Sequence, residues 1–185
     1  VYVNGHPLCV RGGTFLENAS PLLAPAVAAE LTADEISALS GFDKPSGFGG
    51  AIAVQAEEVA GGLPGRLDVT GTSFTLNAGA AIGSRRTNGD DRGPVPIDLD
   101  DSVVAFNDGG GVVSTGSVAV STSVFSGNRG GAALEAADAQ VSDSEFTENS
   151  GGTTLDLLGG VLADVRISGN SAMSGTGSVV SVGAG

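Results

Sequence analysis

One cysteine, one histidine and no tryptophan occur in 185 residues. With Cys9 alone, no internal disulfide can form. With His6 alone, no Cys/His metal site can be assembled, and nothing resembles a nucleophile–histidine–acid triad. His6 sits beside Pro7 and reads as a surface or turn residue. Basic residues are also scarce: 8 Lys plus Arg stand against 21 Asp plus Glu, a net charge of -13. Phosphate backbones are held by clustered Lys and Arg, so nucleic acid is not an expected partner, and polyanionic sugars are disfavoured on the same ground. No apolar run is long enough to span a bilayer, so direct membrane insertion is not expected; no signal peptide is evident either, which is uninformative in a sequence of this start. The sequence opens on Val1 rather than Met and reads as a processed product or as part of a longer chain. All seven prolines precede residue 97, so Ile97 to Gly185 is free of the residue that interrupts interior strands.

What is abundant is glycine, with 31 residues, alongside Val, Ala, Ser and Thr. An apolar content of 41% is too high for a disordered linker, and glycine without a three-residue period excludes collagen. This composition predicts many short strands joined by tight turns. The acidic surface suits a soluble protein in a crowded or saline exterior, or one that meets divalent cations.

A repeat runs through the chain. The pattern apolar-x-x-small-x-Phe-x-x-Asn fits Val120, Ser123, Phe125 and Asn128, and fits Val141, Ser144, Phe146 and Asn149 twenty-one residues later. Leu162, Val165, Ile167 and Asn170 give a third copy at the same shift. Upstream, Val69, Thr72, Phe74 and Asn77 fit, as do Val10, Gly13, Phe15 and Asn18. A sixth, degenerate copy takes Val104, Phe106 and Gly109, with glycine in the asparagine place. A second motif follows each copy: Gly49-Gly50-Ala51-Ile52, Gly79-Ala80-Ala81-Ile82, Gly110-Gly111-Val112-Val113, Gly130-Gly131-Ala132-Ala133-Leu134, Gly151-Gly152-Thr153-Thr154-Leu155, and a looser Gly175-Thr176-Gly177-Ser178-Val179.

A unit of about twenty residues holds strand, turn, strand and turn, and is too short to bury its own apolar face. Stacked on copies of itself, it becomes one turn of a solenoid whose equivalent strands pair in parallel. Val120, Ser123 and Phe125 do not alternate regularly, so a bend near Thr122 is expected to reset the phase. Phe15, Phe74, Phe106, Phe125 and Phe146, with Ile167, are expected to pile up inside. Asn18, Asn77, Asn128, Asn149 and Asn170 are expected at a corner, each amide satisfying turn backbone and its neighbour.

The F-x-x-N and G-G-A-[ILV] motifs, carried by Phe15/Asn18, Phe74/Asn77, Phe125/Asn128, Phe146/Asn149 and Gly49 to Ile52, resemble the paired repeats of the chlamydial polymorphic outer membrane proteins. They also resemble a wider set of bacterial and eukaryotic parallel β-helix repeats. The resemblance implies surface-displayed passengers, often adhesins, carried by a C-terminal barrel, of which no segment is present here.

Two insertions break the repeat. Residues 19–48 contain "LTADEISAL", in which Thr32 and Glu35 form a capping-box pair and Leu31, Ile36 and Leu39 share a face, predicting a short helix. It reads as a helix packed on the flank, or as a partner-binding lobe. The second insertion, 83–98, gathers Arg85, Arg86 and Arg92 with acids including Asp90, Asp91 and Asp98. It reads as a solvated loop, with calcium binding by Asp90, Asp91 and Asp98 as the alternative, though the spacing of an EF-hand is missing.

The expectation is therefore an all-β chain: one right-handed parallel β-helix domain over 1–185, of about six coils, with one short helix in an insertion. The function read from it is an extracellular or cell-surface structural or adhesive protein, not an enzyme. Its expected partners are other protein chains, including copies of itself end to end or side by side. The alternative is a carbohydrate-active enzyme or carbohydrate-binding module of the pectate-lyase-like kind. Asp143 and Asp164, with Glu145 and Arg166 two residues on, are the candidate catalytic set, since equivalent positions on adjacent coils can pair two carboxylates beside a base. The competing reading makes each Asp a turn former and Glu145–Arg166 a cross-strand ion pair. Asn18-Ala19-Ser20 is a glycosylation sequon on an asparagine that also belongs to the expected ladder.

Overall fold

The computed structural model describes residues 2–4, 7–18, 51–55, 65–84, 95–172 and 179–183. Among the described residues, seventeen short strands account for the regular structure and there is no helix. They are β1 (Tyr2–Asn4), β2 (Leu8–Leu16), β3 (Ile52–Gln55), β4 (Leu67–Thr75), β5 (Ile82–Ser84), β6 (Ile97–Asp100), β7 (Val103–Ala105), β8 (Val112–Ser114) and β9 (Ser117–Ser121). There follow β10 (Val124–Ser126), β11 (Leu134–Ala136), β12 (Asp138–Ser142), β13 (Glu145–Thr147), β14 (Leu155–Leu157), β15 (Gly160–Ala163), β16 (Arg166–Ser168) and β17 (Val180–Val182). The fold is all-β, and every strand pair is parallel.

One sheet has seven strands in the order β1-β3-β5-β8-β11-β14-β17. The other has ten, in the order β15-β12-β9-β6-β4-β7-β10-β13-β16, with β2 also on β4. The second sheet turns about β4, whose Leu67–Thr70 half pairs with β6 and whose Ser73–Thr75 half pairs with β7. From β5 onward the chain gives one strand to the seven-stranded sheet, one to the β6 arm and one to the β7 arm, and then begins again.

The divide between the two arms has a local cause. Gly12, Gly71, Asp101, Thr122, Asp143 and Asp164 all lie in the left-handed region, with Thr122 at φ 50° and Asp143 at φ 48°. A single left-handed residue reverses the in–out phase, so Val120, Ser123 and Phe125 all face inward despite their uneven spacing. A second left-handed set, Glu17, Leu76, Phe106, Gly127, Glu148 and Gly169, turns the chain immediately before each asparagine.

The core consists of rows across the strands. Ile52, Ile82, Val112, Leu134 and Leu155 form one, and Val69, Leu99, Val120 and Val141 another; all are buried. A third runs Phe15, Phe74, Val104, Phe125, Phe146, Ile167. Phe15 stacks on Phe74 with ring centroids 4.9 Å apart, and Phe125 on Phe146 at 4.7 Å. These separations are those of adjacent strands, so each ring follows its backbone.

Phe106 does not belong to this row. It is 49% exposed, and Val104 takes the inward place between Phe74 and Phe125. The repeat here is Leu99, Ser102, Val104 and Asn107, so Asn107 rather than Gly109 holds the asparagine position. Phe106 is the left-handed residue before that asparagine, equivalent to Leu76 and Gly127. The second motif also shifts by one at this copy: Val112, not Val113, aligns with Ile82 and Leu134.

The paired glycines lie where turns stack on turns. Gly110 has φ 101° and Gly151 φ 117°; a Cβ on either would collide with backbone, of Ala132 and of Gly130 respectively. The predicted helix within 19–48 lies outside the described residues. Of the 83–98 stretch, Gly83 and Ser84 close β5, Ile97 and Asp98 open β6, and 85–94 lie outside the described residues. The two flanks meet: Ser84 Oγ donates to the Val95 carbonyl at 3.2 Å.

Candidate functional site

Two kinds of residue set emerge, one turned inward and one outward. The inward set is a chain of asparagine amides. Asn18, Asn77, Asn107, Asn128 and Asn149 each donate from Nδ2 to Oδ1 of the next asparagine, at 2.8, 2.7, 2.8, 2.9 and 2.9 Å, ending on Asn170. The backbone N–H of each donor asparagine reaches the same oxygen at 2.9 to 3.1 Å. The other Nδ2 hydrogen points back to a carbonyl: from Asn77, Asn107, Asn128, Asn149 and Asn170 to Phe15, Phe74, Val104, Phe125 and Phe146 in turn. A carboxamide alone among small side chains offers both an acceptor and two donors, so it can bridge two turns and still bond the next amide.

A hydroxyl chain runs beside it. The backbone N–H groups of Thr72, Ser102 and Ser123 donate to Oγ of Ser102, Ser123 and Ser144 at 3.2, 3.1 and 3.1 Å. The hydroxyls of Thr72, Ser102, Ser123 and Ser144 in turn each donate to the carbonyl two residues before, which holds the bend closed. Sequence reasoning marked this position only as small; its serine and threonine content was the available signal.

The outward sets carry the charge. Asp143 and Asp164 occupy successive left-handed bends, both exposed, and the Asp143 N–H donates to the Ala163 carbonyl at 3.1 Å. Glu145 and Arg166 are direct register partners with Oε1 and Nε 3.6 Å apart. Arg166 is largely exposed, and an ion pair of this kind contributes at most about 1 kcal/mol. The four residues do lie together, on an open surface.

A second charged group escaped sequence reasoning. Arg66 bonds both Asp68 and Asp98, which face each other across β4 and β6. Burial, with Asp68 close by, pushes the Asp98 carboxyl up from its usual value despite Arg66. The hydrogen bond to Asp68, then the field of Asp98, pushes Arg66 up as well. On the next outward row, Ser121 Oγ donates to Asp100 Oδ1 at 2.6 Å. Asp98 was singled out for calcium together with Asp90 and Asp91; those two lie outside the described residues. Among the described residues no group of three or more His, Cys, Asp or Glu side chains is placed to hold a metal.

Asn18 commits its amide nitrogen to Asn77 Oδ1 and to the Leu16 carbonyl at 3.3 Å. Cys9 is free and exposed, on the same outward row as Asp68 and Asp98. Among the described residues, no helix is long and apolar enough to cross a membrane.

Compared with known protein families, with curated proteins and with solved structures, the chain finds no match.

Proposed function

We propose that the parallel sheets are the faces of a right-handed parallel β-helix, and that the chain is an extracellular structural or adhesive protein built for surface display or for assembly into a larger body. The strand order supports this, since successive strands visit the same faces in rotation and parallel crossovers are right-handed in nearly all proteins. The observation that carries the reading is the unbroken amide chain from Asn18 to Asn170. It ties six successive passes of the backbone into one stiff body and spends the interior on shape, leaving the outward faces to meet partners. Members of the chlamydial repeat family, which the motifs resemble, display such bodies at the cell surface.

The test is antibody labelling. Antibodies raised against the folded chain should decorate intact, unpermeabilised cells of the source or their shed material. Labelling that appears only after permeabilisation would overturn the reading.

The Asp68–Asp98–Arg66 group favours a second reading, a carbohydrate-active surface. Two carboxylates facing each other across adjacent strands beside an exposed arginine, one of them pushed up by burial, are the kind of pair from which a general acid could be built. Release of reducing ends from a panel of neutral polysaccharides, abolished by Asp98→Asn and Asp68→Asn, would establish it. Absence of release from the whole panel would dismiss it.

A further inference from the structure

We propose that the outer surface of the β7 arm, centred on Leu76, Val103 and Phe106, is a docking site for a partner protein, which it takes as a short apolar segment flanked by basic residues. This deepens the adhesive reading above and rests on it.

The first support is where the apolar side chains stand. Leu76 and Phe106 occupy the left-handed bend before the ladder asparagine, both at φ 57°. Their row runs Glu17, Leu76, Phe106, Gly127, Glu148, each N–H donating to the carbonyl just before the bend of the next pass. Left-handed backbone favours glycine, as at Gly127, and resists a bulky side chain. Two adjacent passes place large apolar groups there all the same and turn them to water: Leu76 is 50% exposed and Phe106 49%. Phe106 covers Gly127, where a Cβ would meet its ring at 2.6 Å, and leaves half of its own surface outside. Val103, on the outward side of β7, is 41% exposed. β4 and β7 lie within the sheet, between β2 and β10, so this exposure does not arise at an end of the chain.

The second support is charge, which also selects the occupant. The chain carries a net charge of -13, yet the outward residues here, Ser73, Thr75, Val103, Ala105, Val124 and Ser126, carry none. Carboxylates stand at the margin instead: Glu17 and Glu148 at the two ends of the row, Asp101 two residues before Val103 and Asp108 two residues after Phe106, all exposed. Against these four stands exposed Arg129, which follows Asn128 as Asp108 follows Asn107. An apolar centre in a mainly acidic rim is complementary to an apolar segment with Lys or Arg on its flanks. Glu17 and Glu148 are about 19 Å apart along the row, which matches roughly six residues of extended chain. A second copy would set the same acidic rim against itself, and a patch about 19 Å by 10 Å falls well short of the roughly 800 Å² a side that stable dimers bury. The insertion 19–48 carries Glu30, Asp34, Glu35 and Asp43 against Lys44, so it too has the wrong sign for this rim.

The test lets the folded, full-length chain choose a ligand from a library of random short peptides displayed on phage. Enriched sequences should carry Phe, Leu or Trp between Lys or Arg residues about six positions apart. A synthetic peptide of the enriched sequence, followed by fluorescence polarisation, should bind Phe106→Ser about tenfold more weakly or worse. Glu17→Gln combined with Glu148→Gln should weaken it about threefold and flatten its salt dependence. Gln140→Ala, on the other arm, should bind as the unaltered chain does. Circular dichroism checks that each variant folds, and Leu76→Ser replaces Phe106→Ser if the latter does not. A library that enriches nothing, or enriches peptides without basic residues, overturns the proposal. So does a peptide that holds Phe106→Ser or Leu76→Ser as tightly as the unaltered chain. Phe106→p-benzoylphenylalanine reads the occupant directly: irradiation should join position 106 to the selected peptide. Joining to residues 19–48 of the same chain, or to a second copy, would mean that the patch is already covered, and would overturn the proposal as well. A chain that labels intact cells but selects no peptide would overturn the docking site alone and leave surface display standing.

Discussion

Asn128 gives Asn149 two hydrogen bonds on one oxygen, from its backbone N–H at 3.0 Å and from Nδ2 at 2.9 Å, and both residues are buried. Asn128 Oδ1 receives the same pair from Asn107. Truncation of the side chain therefore strands groups on both sides. Each buried polar group left unpaired costs about 1–3 kcal/mol, so Asn128→Ala should destabilise the chain by about 3 kcal/mol or more. Asn18→Ala, at the partly exposed start of the row, should cost less than about 1 kcal/mol, because water replaces the lost partner. Urea unfolding of the two variants checks the contrast; equal losses would refute the interior role of the amide row.

The third row separates two phenylalanines that look alike in the sequence. Phe125 is fully buried and stacked on Phe146, so Phe125→Ala should cost about 3–5 kcal/mol. Phe106 lies half exposed across Gly127, and Phe106→Ser should change stability by less than about 1 kcal/mol. Thermal melts of both variants test the register, since comparable losses would put Phe106 back in the core.

How far the fold was legible follows from these residues. The parallel all-β architecture was readable because each pass must bury its apolar face on the next, which forces phenylalanine, asparagine and glycine to recur at one spacing. The misreading at Phe106 came from trusting ring identity over spacing. Leu99, Ser102, Val104 and Asn107 keep the pattern with valine in place of the ring, and the packing accepts either. The hydroxyl row was half visible: a small residue was required at Ser123, but the need for a hydroxyl follows from the N–H it must accept. The Arg66–Asp98 contact could not be found, because it joins residues 32 apart across an insertion whose length no periodicity predicts.

Glycine at the stacked turns is required twice over. Gly110 has φ 101°, and a Cβ there would meet the Ala132 carbonyl of the next pass. Gly110→Ala should destabilise by about 2 kcal/mol or more, strain and collision adding together. Asp143→Gly, at an exposed left-handed bend, should instead be neutral or mildly stabilising, since it relieves strain and displaces no neighbour. Denaturant midpoints for the pair settle the sign; a tolerated Gly110→Ala would show that the turns do not stack this closely.

Thr154 is the one described residue with a buried side-chain polar atom that finds no partner. It stands in a column otherwise held by Ala51, Ala81, Gly111 and Ala133. Thr154→Val keeps the volume and removes the stranded hydroxyl, so it should raise stability by about 1 kcal/mol. A destabilised Thr154→Val would mean that the hydroxyl is bonded after all.

The pH dependence turns on Asp98. Its carboxyl is pushed above the usual 3.8, chiefly by burial, with Asp68 adding to the effect and Arg66 opposing it. Between the unfolded and folded values, the folded chain holds a proton that the unfolded chain has released. Stability therefore falls as pH rises through that window. The contribution is complete below the unfolded value and is lost above the folded one. Asp98→Asn cannot ionise and should lack this descent, so its stability relative to the unaltered chain should improve from pH 3 to pH 7. Melting temperatures of both proteins across that range test the sign, and an advantage for the unaltered chain that grows with pH would show that Arg66, not burial, governs Asp98.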